Sequence, residues 1–436
     1  MPGKKKISEK ANLLIGMKLT RNARNASSNI MSPKLVKLTV FILALPVMFC
    51  GLVFLHVSAD EAIQSEVFNL WILSSLVCIA WVFYLFRYNR IWGWICFAVG
   101  IAPFVLMAWS SLHPIIVIDD MEPRRDINDQ IIDAHDGCLQ FFNGRYYLYG
   151  TVYGETDGFT NNSFHVYSSR DLQTWTLEGE LLPKDRPNAI YYRPYVVFNP
   201  NTHKYVLWYN WYPDRYNWVG HEGVAIGDTP VGPFTITNSD VHLAYPNNGD
   251  GSLFVDDDGT GYFIYTCIGE NYTVHVEKLT EDFLHATGQT SQPLTDGVEA
   301  PVLFRRGNLY YGLCGPRCAF CPEGSEVQVF TATSPLGHFT TEQQANINSR
   351  NQSTAQPTNN GPIKLAGNYP IVSAQQTWVA KIPTANGTMY LWMGDRWQSC
   401  TDGFKGHDFQ YWAPLKFSDD GRILPFNDAT RFWFKR

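Results

Sequence analysis

SLFVDDDGTGYFIY (Ser252–Tyr265) is an apolar run, a turn at Asp257-Asp258-Gly259 and a second run rich in aromatic residues. Runs of this composition suit a pleated, half-buried surface, and Asp-Gly supplies the backbone reversal of a β-hairpin. The unit recurs. Cys138 to Tyr149 turns at Asn143-Gly144, and Val196 to Tyr209 turns at Asn199-Pro200-Asn201. Val302 to Gly312 turns at Arg306-Gly307-Asn308, and Thr377 to Met393 turns at Ala385-Asn386-Gly387. Each hairpin is followed by an outer pair of strands with a turn of its own. Examples are Ser169 to Trp175, Asp228 to Phe234 and Ser334 to Phe339. Five four-stranded units over about 300 residues predict an all-β, five-bladed β-propeller spanning 130–436. A β-sandwich would not repeat a hairpin plus an outer pair.

Upstream, the character changes. Residues 1–37 carry Lys4, Lys5, Lys6, Lys10, Lys18, Arg21, Arg24, Lys34 and Lys37 against Glu9 alone, although the chain as a whole has a formal net charge of -6. The remainder is therefore acidic, which argues against a nucleic-acid partner for the main domain. Three uncharged apolar stretches follow, at about 38–57, 67–86 and 91–109. Each matches the roughly 20 residues that cross a bilayer as a helix. The first starts too far in, and runs too long, for a cleaved signal peptide. We therefore expect an N-terminal α-helical membrane segment of about three spans within 38–112, then a linker over 113–129. The basic tail and Arg87-Tyr88-Asn89-Arg90 belong on the cytoplasmic side, and the loop with Asp60, Glu61 and Glu66 outside. Three crossings leave the C-terminal domain lumenal or extracellular. Two crossings, with the third stretch as a core element, would leave it cytosolic.

Two further features favour the outside. Asn-x-Ser/Thr sequons stand at Asn161, Asn271, Asn351 and Asn386, as in secreted surfaces. Six cysteines follow residue 130, namely Cys138, Cys267, Cys314, Cys318, Cys321 and Cys400. An even count fits disulfides in an oxidising compartment and leaves the pairing open.

The repeating units carry a resemblance. Ala134-His135-Asp136-Gly137-Cys138 running to Tyr146-Tyr147-Leu148-Tyr149-Gly150 is similar to a first-blade signature of glycoside hydrolase family 43. Arg193-Pro194-Tyr195-Val196-Val197-Phe198-Asn199, Asp250-Gly251-Ser252 running to Gly259, and Glu299-Ala300-Pro301-Val302-Leu303-Phe304 resemble the next three blades. Gln375-Gln376-Thr377-Trp378-Val379 and Met393-Gly394-Asp395-Arg396-Trp397 resemble the fifth. Order and spacing over 130–436 carry the likeness, which is closest to the exo-β-1,3-galactanase branch.

The resemblance implies a chemistry. Inverting glycosidases need a proton donor for the leaving oxygen and a base for water on the opposite face of the sugar. Asp136, Asp250 and Glu299 each stand before the first apolar strand of blades one, three and four, where side chains converge on the propeller axis. By the resemblance Asp136 is the base and Glu299 the acid, while Asp250 orients Glu299 and keeps its pKa raised. Gln375 matches a glutamine near the reacting sugar. Arg193, Tyr192, Trp211, Trp397 and Trp412 are candidate substrate-binding residues, the tryptophans as platforms for sugar rings or as blade packing. The galactanase branch has Gly where Asp136 stands and Glu where Tyr192 stands. The first departure supplies the base, and the second leaves the sugar open. The resemblance thus implies an inverting, exo-acting glycosidase of β-linked galactan or galactose-containing glycans of polysaccharide or glycoprotein, and the apolar stretches upstream make it membrane-anchored. Arabinofuranosidase or xylosidase action, or a catalytically silent glycan-binding propeller, are the alternatives. A transporter is disfavoured because the three stretches hold no intramembrane charge.

No cofactor is required by this chemistry. Some family members hold a cation in the channel, so calcium is compatible with the resemblance. Cys314-x-x-x-Cys318-x-x-Cys321 has iron–sulfur spacing, but an all-β, oxidising context favours disulfides. No nearby His or Cys pair completes a zinc site. His135 and His407 read as hydrogen-bonded structural residues, and Asp256-Asp257-Asp258-Gly259 as a hairpin turn rather than a metal loop.

Overall fold

The computed structural model describes residues 115–316, 320, 327–340, 374–424 and 430–436. The basic tail, the three apolar stretches, the sequon at Asn351 and the cysteines Cys318 and Cys321 lie outside the described residues. Among the described residues, no helix is long and apolar enough to cross a membrane.

A pair of strands, β1 (Ile115–Asp119) and β20 (Arg431–Lys435), joins the two ends of the described chain. Between them five antiparallel sheets follow in chain order. The first blade is β2 (His135–Phe142), β3 (Arg145–Val152), β4 (Ser163–Ser169) and β5 (Trp175–Glu180). The second is β6 (Ile190–Asn199), β7 (Lys204–Tyr212), β8 (His221–Gly227) and β9 (Thr235–Asn238). The third is β10 (Asn248–Val255), β11 (Gly261–Cys267), β12 (Thr273–Leu279) and β13 (Ala286–Thr290). The fourth has β14 (Val298–Arg306), β15 (Leu309–Pro316) and β16 (Gln328–Ala332), and the fifth β17 (Gln375–Thr384), β18 (Gly387–Arg396) and β19 (Phe409–Pro414). The five hairpins fall where the turn signals put them. The fourth and fifth blades differ from expectation in having three strands among the described residues. In the fourth, a single bridge between Thr331 and Thr340 stands where an outer strand begins.

Flat aromatic side chains fill the wedges between blades, because rings cover large apolar areas and still hydrogen-bond at their tips. Trp208 packs on Phe263 with ring centroids 4.7 Å apart and donates to the Phe283 carbonyl at 2.8 Å. Trp378 donates to the Leu139 carbonyl at 3.2 Å, linking the last blade to the first.

The stretch expected as a linker does more than connect. Ile116 and Ile118 of β1 are buried, and Asp120 is fully buried. The Asp120 carboxylate pairs with Arg124 and accepts the Trp412 N–H at 3.0 Å. The Arg124 guanidinium lies 3.7 Å from the centre of the Trp412 ring. This clasp seats the start of the unit on β19.

The cysteine expectation is not met among the described residues. Cys138, Cys267 and Cys314 are buried free thiols, and Cys400 is a partly exposed one. Cys138, Cys267 and Cys314 stand on strands of three different blades, where they pack as small hydrophobes. Burial pushes the Cys138 thiol up to about 12.

Candidate active site

Every innermost strand breaks its ladder near its start. The register shifts between His135 and Cys138, Tyr192 and Tyr195, Asn248 and Gly251, Glu299 and Val302, and Gln376 and Trp378. Such bulges add a residue to one strand and re-aim its side chains. Asp136, Arg193 and Ala300 sit in them with φ of 58°, 57° and 55°. The acids therefore do not precede the strands, as the sequence suggests. Asp136 and Asp250 lie inside bulges, and Glu299 is the paired residue at the edge of one.

The bulges bring six candidate residues to one cavity of about 320 Å³: Asp136, Tyr192, Arg193, Asp250, Glu299 and Gln375. Arg193 is the hub. It is 3% exposed, donates to Asp250 Oδ2 at 3.0 Å and also donates to the Gln376 carbonyl at 3.2 Å. Burial works against its charge, but Asp250 and Asp136 outweigh burial and raise its pKa. Asp250 Oδ2 also accepts the Ala300 N–H at 3.1 Å. The third-blade carboxylate thereby grips the residue next to Glu299.

Glu299 accepts from Gln375 Nε2 at 3.0 Å. The orientation of that amide is fixed from behind, because the Trp397 indole N–H, which can only donate, reaches Gln375 Oε1 at 2.7 Å. Asp136, 5% exposed, accepts from the Tyr153 hydroxyl. Burial pushes Asp136 up to about 6, against the pull of Arg193 and with added repulsion from Asp395 and Asp250. A carboxylate with a midpoint near 6 is ionised at neutral pH and basic enough to accept a proton from water.

The three tryptophans do not line this cavity. Trp412 is fully buried against Trp175, with centroids 6.2 Å apart, and under Arg124. Trp397 is 1% exposed and braces Gln375 from behind. Trp211 stacks on His221 at 4.4 Å and donates to the Ser239 carbonyl. Trp412 and Trp397 are packing and bracing residues with their faces covered by protein, and Trp211 is a half-buried ring stacked on His221 away from the cavity. The rings that do line the cavity include Tyr153, Phe159, Tyr212 and Trp218. Trp218, 43% exposed, meets Phe159 and Tyr212 edge-on. Its loop is held to the first blade by Arg215 pairing with Asp157. An aromatic-rich sequence hides these residues among many similar ones, since no local pattern separates a rim ring from a core ring.

Asp256 caps a hairpin turn and ties blades together, accepting from Arg305 and Tyr310 at 2.8 and 2.5 Å. His407 pairs with Asp402 at 2.6 Å. Among the described residues no group of three or more His, Cys, Asp or Glu side chains converges as a metal site.

A family model described as glycosyl hydrolases family 43 matches residues 133–380, more than half of the chain. The chain belongs to glycosyl hydrolase family 43. The matched span contains all three acids together with Arg193 and Gln375. An arabinoxylan arabinofuranohydrolase of Bacillus subtilis (strain 168) is 27% identical over 273 residues, covering 49% of this chain and 50% of the relative. A Paenibacillus polymyxa enzyme of the same name is 25% identical over 249 residues, covering 46% of this chain and 38% of its own. The chain thus spans half or less of the length of these curated relatives. Among solved structures, an exo-β-1,3-galactanase from Clostridium thermocellum is 26% identical with a TM-score of 0.58, covering 71% of this chain and 64% of that one. A Phanerochaete chrysosporium exo-β-1,3-galactanase with β-1,3-galactotriose is 21% identical with a TM-score of 0.59, covering 72% and 68%. At that identity the second likeness concerns the fold.

Proposed function

We propose that this protein is an inverting, exo-acting glycosidase of β-linked galactan or galactose-containing glycans. The observation that carries the proposal is the meeting of Asp136, Asp250 and Glu299 in one pocket, with Arg193 and Gln375 between them. Asp136, ionised above about pH 6, takes a proton from water as that water attacks the anomeric carbon. Glu299 protonates the departing oxygen. Asp250 holds Glu299 in place through the Ala300 N–H and keeps Arg193 beside both acids. Gln375 fixes the Glu299 carboxyl from the side. The exo-β-1,3-galactanase structures support the exo mode, and the Arg215–Asp157 pair ties two loops together beside the cavity.

The β-1,3-galactanase structures support the galactan reading, and the arabinofuranohydrolases support arabinose as a second one. Tyr192, buried in the wall with its hydroxyl donating to the Gly158 carbonyl at 2.7 Å, offers less to a sugar hydroxyl than a free carboxylate would.

The test is sugar release by the full-length protein from β-1,3-galactan, arabinan, arabinoxylan and xylan oligosaccharides, beside Asp136→Asn and Glu299→Gln. Release by the native protein, with loss of about 10³-fold or more in both variants and glycan binding retained, is expected. Binding without release by the native protein would favour a glycan-binding module. Near-native turnover in Asp136→Asn would move the base to another residue.

The reading includes a membrane anchor in the N-terminal segment and a lumenal or extracellular catalytic unit. The exposure of the sequon residues Asn161, Asn271 and Asn386 supports it. Trimming of N-glycans should increase gel mobility, and an unchanged mobility would argue for two crossings.

A further inference from the structure

We propose that His135 is an imidazolium paired with the Asp395 carboxylate beneath Asp136, and that this pair positions Asp136 and sets the pH at which it ionises. The functional consequence rests on the reading of Asp136 as the base, but the state of the pair does not.

Geometry fixes the charge. His135 is fully buried. Its Nδ1 lies 3.0 Å from Asp395 Oδ1, and its Nε2 lies 3.3 Å from the Gly406 carbonyl oxygen. A carboxylate and a carbonyl can only accept. Both ring nitrogens must therefore donate, and a ring with two N–H groups is an imidazolium. Burial alone would drive the proton off, yet Asp395 outweighs it and holds His135 up to about 9.

Asp395 faces two ways. While Oδ1 accepts from the imidazolium, Oδ2 accepts the Asp136 backbone N–H at 2.8 Å. That bond pins the left-handed bulge from which the Asp136 side chain enters the pocket. Only a carboxylate offers acceptors on both prongs. An asparagine would turn its NH₂ toward one of two donors, so Asp395→Asn must release either the ring or the bulge.

The pair also balances charge. Asp136 is faced by Arg193 from β6, Asp395 at the end of β18, Asp250 from β10, the Tyr153 hydroxyl after β3, and Lys405 from the short helical turn Lys405–His407. His135 is faced by Asp395 and, at 3.9 Å, by Asp133. Asp395 repels the ionised Asp136, and the imidazolium offsets that repulsion. If the imidazolium is removed, Asp395 acts uncompensated and Asp136 ionises at higher pH.

The experiment uses full-length protein. In His135→Asn the acidic limb of kcat/KM is expected to rise by about one pH unit or more, with KM on the alkaline plateau little changed. Asp395→Asn is expected to lose about 100-fold in kcat at every pH by misplacing the bulge. A purely packing role would lower kcat without moving the limb. An unmoved limb in folded His135→Asn overturns the proposal. Long-range ¹H–¹⁵N NMR of the native protein gives an independent reading. One histidine should remain doubly protonated at pH 8, identified by its absence from His135→Asn. Should that variant not fold, the signal must persist in His221→Asn, His275→Asn and His407→Asn, which remove the other histidine–carboxylate pairs among the described residues. If every histidine is singly protonated at pH 8, the proposal is wrong. An active Asp136→Asn would remove Asp136 as the base and leave the histidine result standing.

Discussion

Asp136, Asp250, Glu299, Arg193, Tyr192 and Gln375 line one cavity, and as candidates they were legible because each sits near the start of an innermost strand, a position that repeats along the chain. Tyr153 and Trp218 were not legible, because a pocket ring and a core ring look alike until neighbouring blades are in place. For Trp412 the structure shows the packing alternative, since its flat face is spent on Trp175 and Arg124. Asp136 also makes a stability argument. Its folded pKa is raised from 3.8 to about 6, so the native state binds its proton more tightly than the unfolded chain does. The associated stability is complete below about pH 4 and lost as pH rises through about 6. Asp136→Asn should therefore raise stability at pH 7–8 by up to about 3 kcal/mol and by much less at pH 4. Denaturant titrations at the two pH values check this. In the native enzyme, kcat/KM should fall about tenfold per unit below pH 6. A rim role for Trp218 is checked kinetically, with Trp218→Ala expected to raise KM by about tenfold and leave kcat nearly unchanged.

At the scale of the element, the hairpins were readable because their turns are local: Asn143-Gly144 and Asp258-Gly259 reverse the chain whatever surrounds them. The bulges were not readable. They are defined by the partner strand's register, which no local run of residues states. Gly137 lies in the first of these bulges, and the structure explains why it is glycine. A Cβ there would lie 1.8 Å from the Tyr149 carbonyl oxygen, a backbone atom of the paired strand that cannot step aside. Gly144, at φ of +82° with open space around it, presents only a conformational cost. Gly137→Ala should therefore destabilise the protein by about 3 kcal/mol or more and disable the site. Gly144→Ala should cost about 1 kcal/mol and leave activity intact. Thermal unfolding together with sugar release separates the two.

Over the whole molecule, the propeller was legible from repetition, and its manner of closure was not. The chain ends meet through β1 and β20, and the buried Asp120–Arg124 pair docks the entry segment on Trp412. That arrangement joins residues nearly 300 apart, beyond the reach of any local pattern. Breaking it strands a buried guanidinium, so Asp120→Ala should cost about 3–5 kcal/mol, and an apolar replacement of both partners should cost less. Unfolding in denaturant checks both. The fold alone does not name the sugar, since the solved structures it resembles include an exo-β-1,3-galactanase while the curated relatives are arabinoxylan arabinofuranohydrolases. The most direct measurement is therefore the anomeric configuration of the first sugar that the full-length protein releases from a β-1,3-galacto-oligosaccharide, followed by NMR before mutarotation. The native protein is expected to release the α anomer, and Glu299→Gln to release none. Release of the β anomer, or no release by well-folded protein, would contradict the proposed function.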